Sequence, residues 1–99
     1  MRADKPDINT AAIVEELRAR GYHVEYAHAM PFDLLVIGFH RDQMQTMCLC
    51  VEVKTAGKPS RFTPRELAFQ AALVERGYQH VYVIAKSISD VLGYFGDTG

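Results

Sequence analysis

The chain has 99 residues, 48% of them hydrophobic, which fits one globular domain with one modest core. Its 11 basic and 12 acidic side chains give a net charge of -1, which excludes a global attraction to nucleic acid; this argues against a protein that coats DNA nonspecifically but not against an enzyme with a local basic patch. No apolar run could span a membrane, and residues 1–7 form a polar arm unlike a signal peptide, so we expect a cytoplasmic protein.

The first predicted element is a helix that begins near Asn9 or Thr10, which are good N-cap residues, and ends at Gly21. Its apolar stripe consists of Ile13, Val14 and Leu17. Residues 22–26 then alternate between apolar and polar side chains and are predicted to form a strand.

Two apolar segments follow, residues 32–39 and 47–54, and both are predicted to be inner strands. The first is apolar on both faces apart from Asp33, which is typical of a strand covered on both sides. The polar turn between the segments predicts an antiparallel hairpin. Cys48 and Cys50 are too closely spaced along one strand to bridge easily, and we interpret them as small buried residues in a reducing compartment.

A second helix is predicted after the positively charged loop at residues 56–61. Its entry signal is unusually complete, because Thr63 is a good N-cap, Pro64 fits the first helical position and Glu66 stands where a capping-box carboxylate belongs. Gly77 ends the helix. Local signals therefore define both ends of this element.

The last part of the chain adds a strand and a short helix. Residues 81–85 form an apolar strand, parallel to the strand before it if the crossover is right-handed. Ser87 and Asp90 predict a capped helix that runs through Phe95, and residues 96–99 form a tail. The complete order predicts a single α/β domain over the whole chain, with helices flanking a mixed sheet.

Charged side chains interrupt the two inner strands. Asp33 lies near the start of the first, whereas Glu52 and Lys54 lie near the end of the second, one residue apart and therefore on one face. In a hairpin, the start of the first strand lies beside the end of the second. We therefore expect two carboxylates and one ammonium group to meet at one end of the sheet.

Burial of such groups without partners would cost several kcal/mol each. A Mg²⁺ or Mn²⁺ ion between Asp33 and Glu52 would offset that cost, because hard cations prefer carboxylate oxygens and water. Lys54 would then orient a metal-bound water or stabilise developing negative charge. The structural alternative is a buried ion pair that only closes the edge of the core.

The motifs Pro31-Phe32-Asp33 and Val51-Glu52-Val53-Lys54-Thr55, followed by Gly57 and by Phe-Thr-Pro-Arg-Glu at residues 62–66, together form a known pattern. The pattern resembles that of the PD-(D/E)XK, or restriction-endonuclease-like, nuclease superfamily. It is most similar to VRR-type nucleases and archaeal Holliday-junction resolvases, over nearly the whole chain. The resemblance implies a restriction-endonuclease-like fold. It also implies that Asp33, Glu52 and the main-chain carbonyl of Val53 bind the metal and that Lys54 is catalytic.

The chain departs from this family pattern at two places, and a third position, in the second helix, leaves two roles open. Resolvase-like relatives often carry an acidic residue roughly where Thr10 stands, and only Glu16 offers a substitute ligand, although it also fits a solvated helix position. VRR-type members often carry glutamine in place of Glu66, which either joins the site or serves only the capping box. Gln70 lies inside the apolar arc of the second helix, and it either points toward the site or satisfies a backbone group in the core.

Basic residues after the second inner strand predict a nucleic-acid surface. Lys58, Arg61 and Arg65 would join Lys54 in a local positive cluster that grips phosphates, although each alone is typical of a solvated surface. We therefore predict a Mg²⁺- or Mn²⁺-dependent endonuclease acting on DNA, with branched or flapped DNA among the candidate substrates. A homodimer would suit so small a domain. The alternatives are an inactive nucleic-acid-binding or assembly module on the same fold, and an interaction protein unrelated to nucleic acid.

Overall fold

The computed structural model describes residues 8–97 and confirms the predicted α/β class and element order. The helices are α1 (Ile8–Ala19), α2 (Pro64–Arg76) and α3 (Ile88–Leu92). The strands are β1 (His23–Tyr26), β2 (Leu34–His40), β3 (Gln45–Val53) and β4 (Tyr82–Ala85), and 3-10 turns occupy Gln79–Val81 and Gly93–Phe95. The predicted arm at residues 1–7 and the last two residues of the predicted tail lie outside the described residues. No helix within the described range is long and apolar enough to cross a membrane.

The four strands form one mixed sheet in the order β1-β2-β3-β4. The pairs β1–β2 and β2–β3 are antiparallel, and β4 is parallel to β3, as predicted. Leu34 faces Val51 across the hairpin, so the start of β2 lies beside the end of β3. Val53 faces Ala85, so the end of β4 lies at the same edge. The structure therefore brings three strand termini together at one edge of the sheet.

One face of the sheet packs on α1 and α3 and forms the core. The predicted stripe of α1 is buried, which confirms its orientation, and Val91, Leu92 and Phe95 bury the end of the chain against the same face. Full burial of each such apolar side chain contributes about 1.5–3 kcal/mol. The strand residues on this face are Val24, Leu34, Val36, Leu49, Val51, Val53, Val83 and Ala85.

The opposite face is covered at one end only. Phe69 of α2 lies 5.5 Å from Phe32 and 5.7 Å from Tyr82, measured between ring centroids. Toward the hairpin turn, Phe39 is 49% exposed. The expectation that β2 is covered on both sides is therefore met only near α2. The interpretation of Cys48 as buried is wrong, because it lies exposed on the uncovered part of this face, whereas Cys50 is half-buried.

The predicted capping signals of α2 are confirmed. Thr63 Oγ1 accepts a hydrogen bond from the Glu66 N–H at 3.1 Å, and Glu66 Oε1 accepts one from the Thr63 N–H at 2.9 Å. Gly77 ends the helix with a left-handed φ of 80°. The predicted capping box of Ser87 and Asp90 is also present at the start of α3. Because α2 buries no residue of its own, its entrance owes much of its placement to these local bonds.

Candidate active site

Asp33 replaces a backbone group at the end of the hairpin ladder. Its Oδ2 accepts a hydrogen bond from the Val53 N–H at 2.8 Å, and its own N–H donates to the Val51 carbonyl at 2.9 Å. This bond holds the Asp33 carboxylate against Val53, the last residue of β3. Because the N–H and C=O of a strand residue point to the same side, the Val53 carbonyl faces the side on which Asp33 lies. The Val53 carbonyl and the Asp33 carboxylate therefore lie on the same side of β3.

Glu52 is the most deeply buried charged residue of the site, with 3% of its surface exposed. Its Oε2 lies 3.1 Å from Lys54 Nζ, whereas its buried Oε1 has no hydrogen-bond partner among the described residues. Burial raises the pKa of Glu52 to about 8, and the Asp33 and Glu66 carboxylates act in the same direction. A buried acceptor without a partner costs about 1–3 kcal/mol. This oxygen is therefore the clearest unsatisfied group of the site.

Lys54 lies between two carboxylates, because its Nζ is 3.1 Å from Glu52 Oε2 and 3.3 Å from Glu66 Oε1. The same Nζ lies 4.7 Å from the centroid of the Phe62 ring. Its backbone N–H donates to the Ala85 carbonyl at 2.9 Å, which fixes the residue to β4. Burial acts to lower the pKa of Lys54, but the hydrogen bonds and charges of Glu52 and Glu66 outweigh it and raise the pKa. Lys54 is therefore an ammonium ion at neutral pH.

Glu66 contacts Lys54 in addition to its capping partner, so its contacts are not confined to the capping box. It closes the capping box of α2, and it also receives a hydrogen bond from Lys54 Nζ at 3.3 Å. Burial acts to raise the pKa of Glu66, but the Thr63 N–H outweighs it, with help from Glu52 and Lys54, and the net direction is downward. Glu66 is thus a carboxylate whose charge is matched by donors on two sides.

Gln70 does not bind the carboxylates directly. Its Nε2 donates a hydrogen bond of 3.2 Å to the Tyr82 hydroxyl, on the face of the sheet that α2 covers. Burial raises the pKa of Tyr82 to about 12, and the charge of Glu52 adds to that rise. Gln70 therefore supports a neighbour of the site and is one residue removed from the Glu52 carboxyl.

Glu16 does not join the site. Its Oε2 pairs with Arg20 Nε at 3.0 Å, and Arg20 also lies 3.8 Å from Asp97. Arg20 lines a cavity of about 370 Å³ together with Phe39, near the end of β2 that is farthest from Asp33. The weak prediction of Glu16 as a metal ligand therefore has no support in the placement of this side chain, which follows the solvated alternative.

The first helix nevertheless sends a polar side chain to the site. Asn9 Nδ2 lies 3.5 Å from the Lys54 carbonyl and donates to it, a contact that sequence reasoning did not identify. Thr10, at the position where resolvase-like relatives are expected to be acidic, is buried with 7% of its surface exposed. The α1 helix thus approaches the cluster with an amide and supplies no carboxylate there from these two positions.

Four cations belong to segments that continue from this edge of the sheet, namely the loop after β3, the first turn of α2 and the residue after β4. Lys58 and Arg61 are exposed, and Arg65 Nη2 donates to the Ala29 carbonyl, so the three predicted basic residues all lie at or near the surface. The structure adds Lys86, whose Nζ donates to the Lys58 carbonyl at 3.1 Å. No ion pair within residues 8–97 involves any of these four cations. The signal for Lys86 was its position directly after a strand parallel to β3, which places it at the same edge.

The donor set at this edge is small. Among residues 8–97 no group of three or more His, Cys, Asp or Glu side chains is arranged to hold a metal ion. The edge instead combines the Asp33 and Glu52 carboxylates with the Val53 carbonyl. Protein sites for Mg²⁺ commonly use one or two carboxylates, and waters complete the octahedron. Glu52 Oε1, which has no hydrogen-bond partner among the described residues, is an oxygen that such a cation would satisfy.

Comparisons of the chain with protein-family models, with curated proteins and with solved structures found no match. The class of the protein is therefore described by its fold and by the geometry of the site. The protein is an α/β domain with a mixed four-stranded sheet, and a carboxylate–lysine cluster lies where the ends of β3 and β4 meet the start of β2.

Proposed function

We propose that the protein is a Mg²⁺- or Mn²⁺-dependent endonuclease that hydrolyses phosphodiester bonds in DNA. One observation carries the proposal: Glu52 is buried beside Lys54 and Asp33, and its Oε1 has no hydrogen-bond partner among the described residues. A purely structural ion pair would have no need for this unsatisfied oxygen. A cation ligand, by contrast, must keep one oxygen available.

The residues divide the chemistry between them. Asp33, Glu52 and the Val53 carbonyl would hold the cation, which lowers the pKa of a bound water and neutralises charge on the phosphate. Hydrolysis joins the water oxygen to phosphorus and breaks the bond to the leaving oxygen, which takes up a proton. Lys54 is charged and therefore cannot act as the base. Its ammonium group stabilises negative charge on the phosphate oxygens as that charge develops.

The surroundings of the site support a nucleic-acid substrate. Lys58 and Arg61 lie in the loop that follows Lys54, and Lys86 lies directly after β4; within residues 8–97 none of the three forms an ion pair, although the whole chain carries a net charge of -1. Because Glu52 is almost completely buried, the scissile strand must approach the sheet edge closely, which a branched or flapped strand does more easily than a continuous duplex. A homodimer would present two such edges to a symmetric junction. Free thiols at Cys48 and Cys50 favour the reducing cytoplasm.

The proposal is tested by incubating the purified protein with Mg²⁺ or Mn²⁺ and with flapped, branched, duplex and single-stranded DNA of one sequence, and with the matching RNA. We expect cleavage that requires the cation and that is lost in Glu52→Gln and Asp33→Asn. Glu75→Gln is the matched control, because Glu75 is an exposed glutamate of α2. Equal cleavage by the wild type and Glu52→Gln would show that the site is wrongly assigned.

The second candidate is an inactive nucleic-acid-binding module. It is favoured by the buried Thr10, which leaves α1 without a carboxylate at the expected position, and by the small donor set. Calorimetric titration with Mn²⁺ separates the two functions. Heat of binding that disappears in Asp33→Asn supports the nuclease, whereas salt-sensitive DNA binding without any Mn²⁺ binding supports the module.

A further inference from the structure

One oxygen of Glu66 serves two partners. Oε1 accepts the Thr63 N–H at 2.9 Å and the Lys54 ammonium at 3.3 Å. The first bond belongs to the capping box, which the Glu66 N–H completes by donating to Thr63 Oγ1 at 3.1 Å. The second bond is not needed for a helix cap. The capping box therefore holds the Glu66 carboxylate in a position from which the same oxygen also accepts a hydrogen bond from Lys54.

The two carboxylates that share Lys54 differ in what else they bind. Glu66 accepts a backbone N–H of the helix entrance, whereas the buried Oε1 of Glu52 has no hydrogen-bond partner within residues 8–97. A divalent cation on Glu52 would repel the ammonium group at a separation of a few ångströms. The remaining neighbours of Lys54 Nζ are then Glu66 and the Phe62 ring, 4.7 Å away. Both of these neighbours belong to the entrance of α2.

We propose that Glu66 is a positioning residue, which holds the Lys54 ammonium beside the phosphate once a divalent cation occupies Glu52. The inference rests on the proposed nuclease function and deepens it, because it makes the entrance of α2 part of the catalytic arrangement. Lys54 is the first residue after β3, in the loop that leads to α2, so its backbone fixes only the base of a long side chain. Without Glu66 the ammonium group would lose its second charged partner and sample positions away from the scissile phosphate.

The informative variant is Glu66→Gln. Its side-chain oxygen can still accept the Thr63 N–H, so the cap is kept while the charge that holds Lys54 is removed. We expect kcat on flapped DNA to fall about 10- to 100-fold. KM should change by no more than about twofold, because the basic residues still bind the phosphate backbone of the DNA. Thr63→Ala, which weakens the cap but keeps the carboxylate, and Glu75→Gln should both retain most of kcat. An unchanged kcat in Glu66→Gln, or an equal loss in Thr63→Ala, would overturn the positioning role.

A double-mutant cycle shows whether Glu66 acts through Lys54. In a Lys54→Met background, Glu66→Gln should have no further effect on the remaining rate, because the group to be positioned is already gone. The same cycle is measured on the unfolding equilibrium in urea, with and without Mn²⁺. We expect coupling between Lys54 and Glu66 in both conditions, and stronger coupling when Mn²⁺ is bound.

The two readouts keep the two proposals apart. Coupling in the unfolding equilibrium without Mn²⁺ binding or cleavage would reject the nuclease. DNA cleavage without any coupling between Lys54 and Glu66 would reject the positioning role and leave the nuclease intact. Additive effects of the two substitutions on kcat would also reject the positioning role.

Discussion

The buried carboxyl of Glu52 should make the metal-free protein less stable as pH rises through the neutral range. Its pKa is about 8 in the folded protein, against 4.5 for the ordinary side chain, because burial disfavours the charged form. The folded state therefore binds this proton more tightly than the unfolded chain. The resulting stability is fully present below about pH 4.5 and is lost progressively up to about pH 8. At about 1.4 kcal/mol per pKa unit, the shift corresponds to a few kcal/mol in the free energy of unfolding.

Glu52→Gln removes this titration while it keeps the size of the side chain. Its amide oxygen can accept from Lys54, and the group that titrates is gone. We expect the variant to match the wild type near pH 5 and to exceed its free energy of unfolding by a few kcal/mol near pH 8. Urea unfolding followed by circular dichroism, with a chelator present, measures the difference. Glu75→Gln serves as the control on an exposed glutamate.

Two results would refute this reasoning. The first is a pair of parallel stability curves over the whole pH range, which would mean that Glu52 titrates normally. The second is a variant less stable than the wild type near pH 8, which would mean that the carboxylate is satisfied in the folded protein. A further measurement ties stability to function. Mn²⁺ should stabilise the wild type near pH 8 by binding only the folded state, and it should not stabilise Glu52→Gln.

Two further predictions concern the far end of the sheet. In Gly38→Ala the new Cβ would lie 2.3 Å from Tyr22 Cδ1 and 3.0 Å from Phe95 Cε1, so we expect the free energy of unfolding in urea to fall by about 1–3 kcal/mol. Gly93→Ala is the control, because a Cβ there would meet nothing within 4 Å, and its free energy of unfolding should fall much less. An equal fall in both variants would contradict the clash. Burial and the hydrogen bond to Asp97 raise the pKa of Tyr22 to about 12, so stability should fall as pH rises from about 10 to about 12, and Tyr22→Phe should reduce that fall in the same assay. An unchanged pH profile would show that Tyr22 titrates like an exposed tyrosine.

Several parts of this fold could be predicted because local chemistry determines them. The sequence Thr63-Pro64 with Glu66 three residues after the cap has few conformations other than a helix start, and the structure has that start. Likewise, hairpin geometry alone requires that the start of β2 and the end of β3 lie together. The contact of the Asp33 carboxylate with the end of β3 follows from that geometry, and the pairing of Glu52 with Lys54 follows from the two-residue period of a strand.

Other features depend on how the helices and strands pack against one another, which the sequence pattern does not determine. The apolar runs of β2 and β3 have the same pattern whether one face of the sheet or both faces are covered, so the exposure of Phe39 in β2 and of Cys48 in β3 could not be predicted from periodicity. The choice of Gln70 between the site and the core depended on where Tyr82 lies, in a strand that pairs with β3 from the other side. The contribution of Lys86 required the parallel pairing to be known in register.

The site carboxylates differ in how much each one serves the fold. Asp33 and Glu66 each accept a backbone N–H, from Val53 and from Thr63, so both would be retained by a protein that needed only the ends of its strand and helix satisfied. Glu52 accepts no backbone hydrogen bond that the described residues provide, and burial opposes its charge. A residue that weakens the fold and satisfies none of its backbone groups is best explained by what it binds. For this reason the proposed cation site depends on Glu52 more than on either of its neighbours.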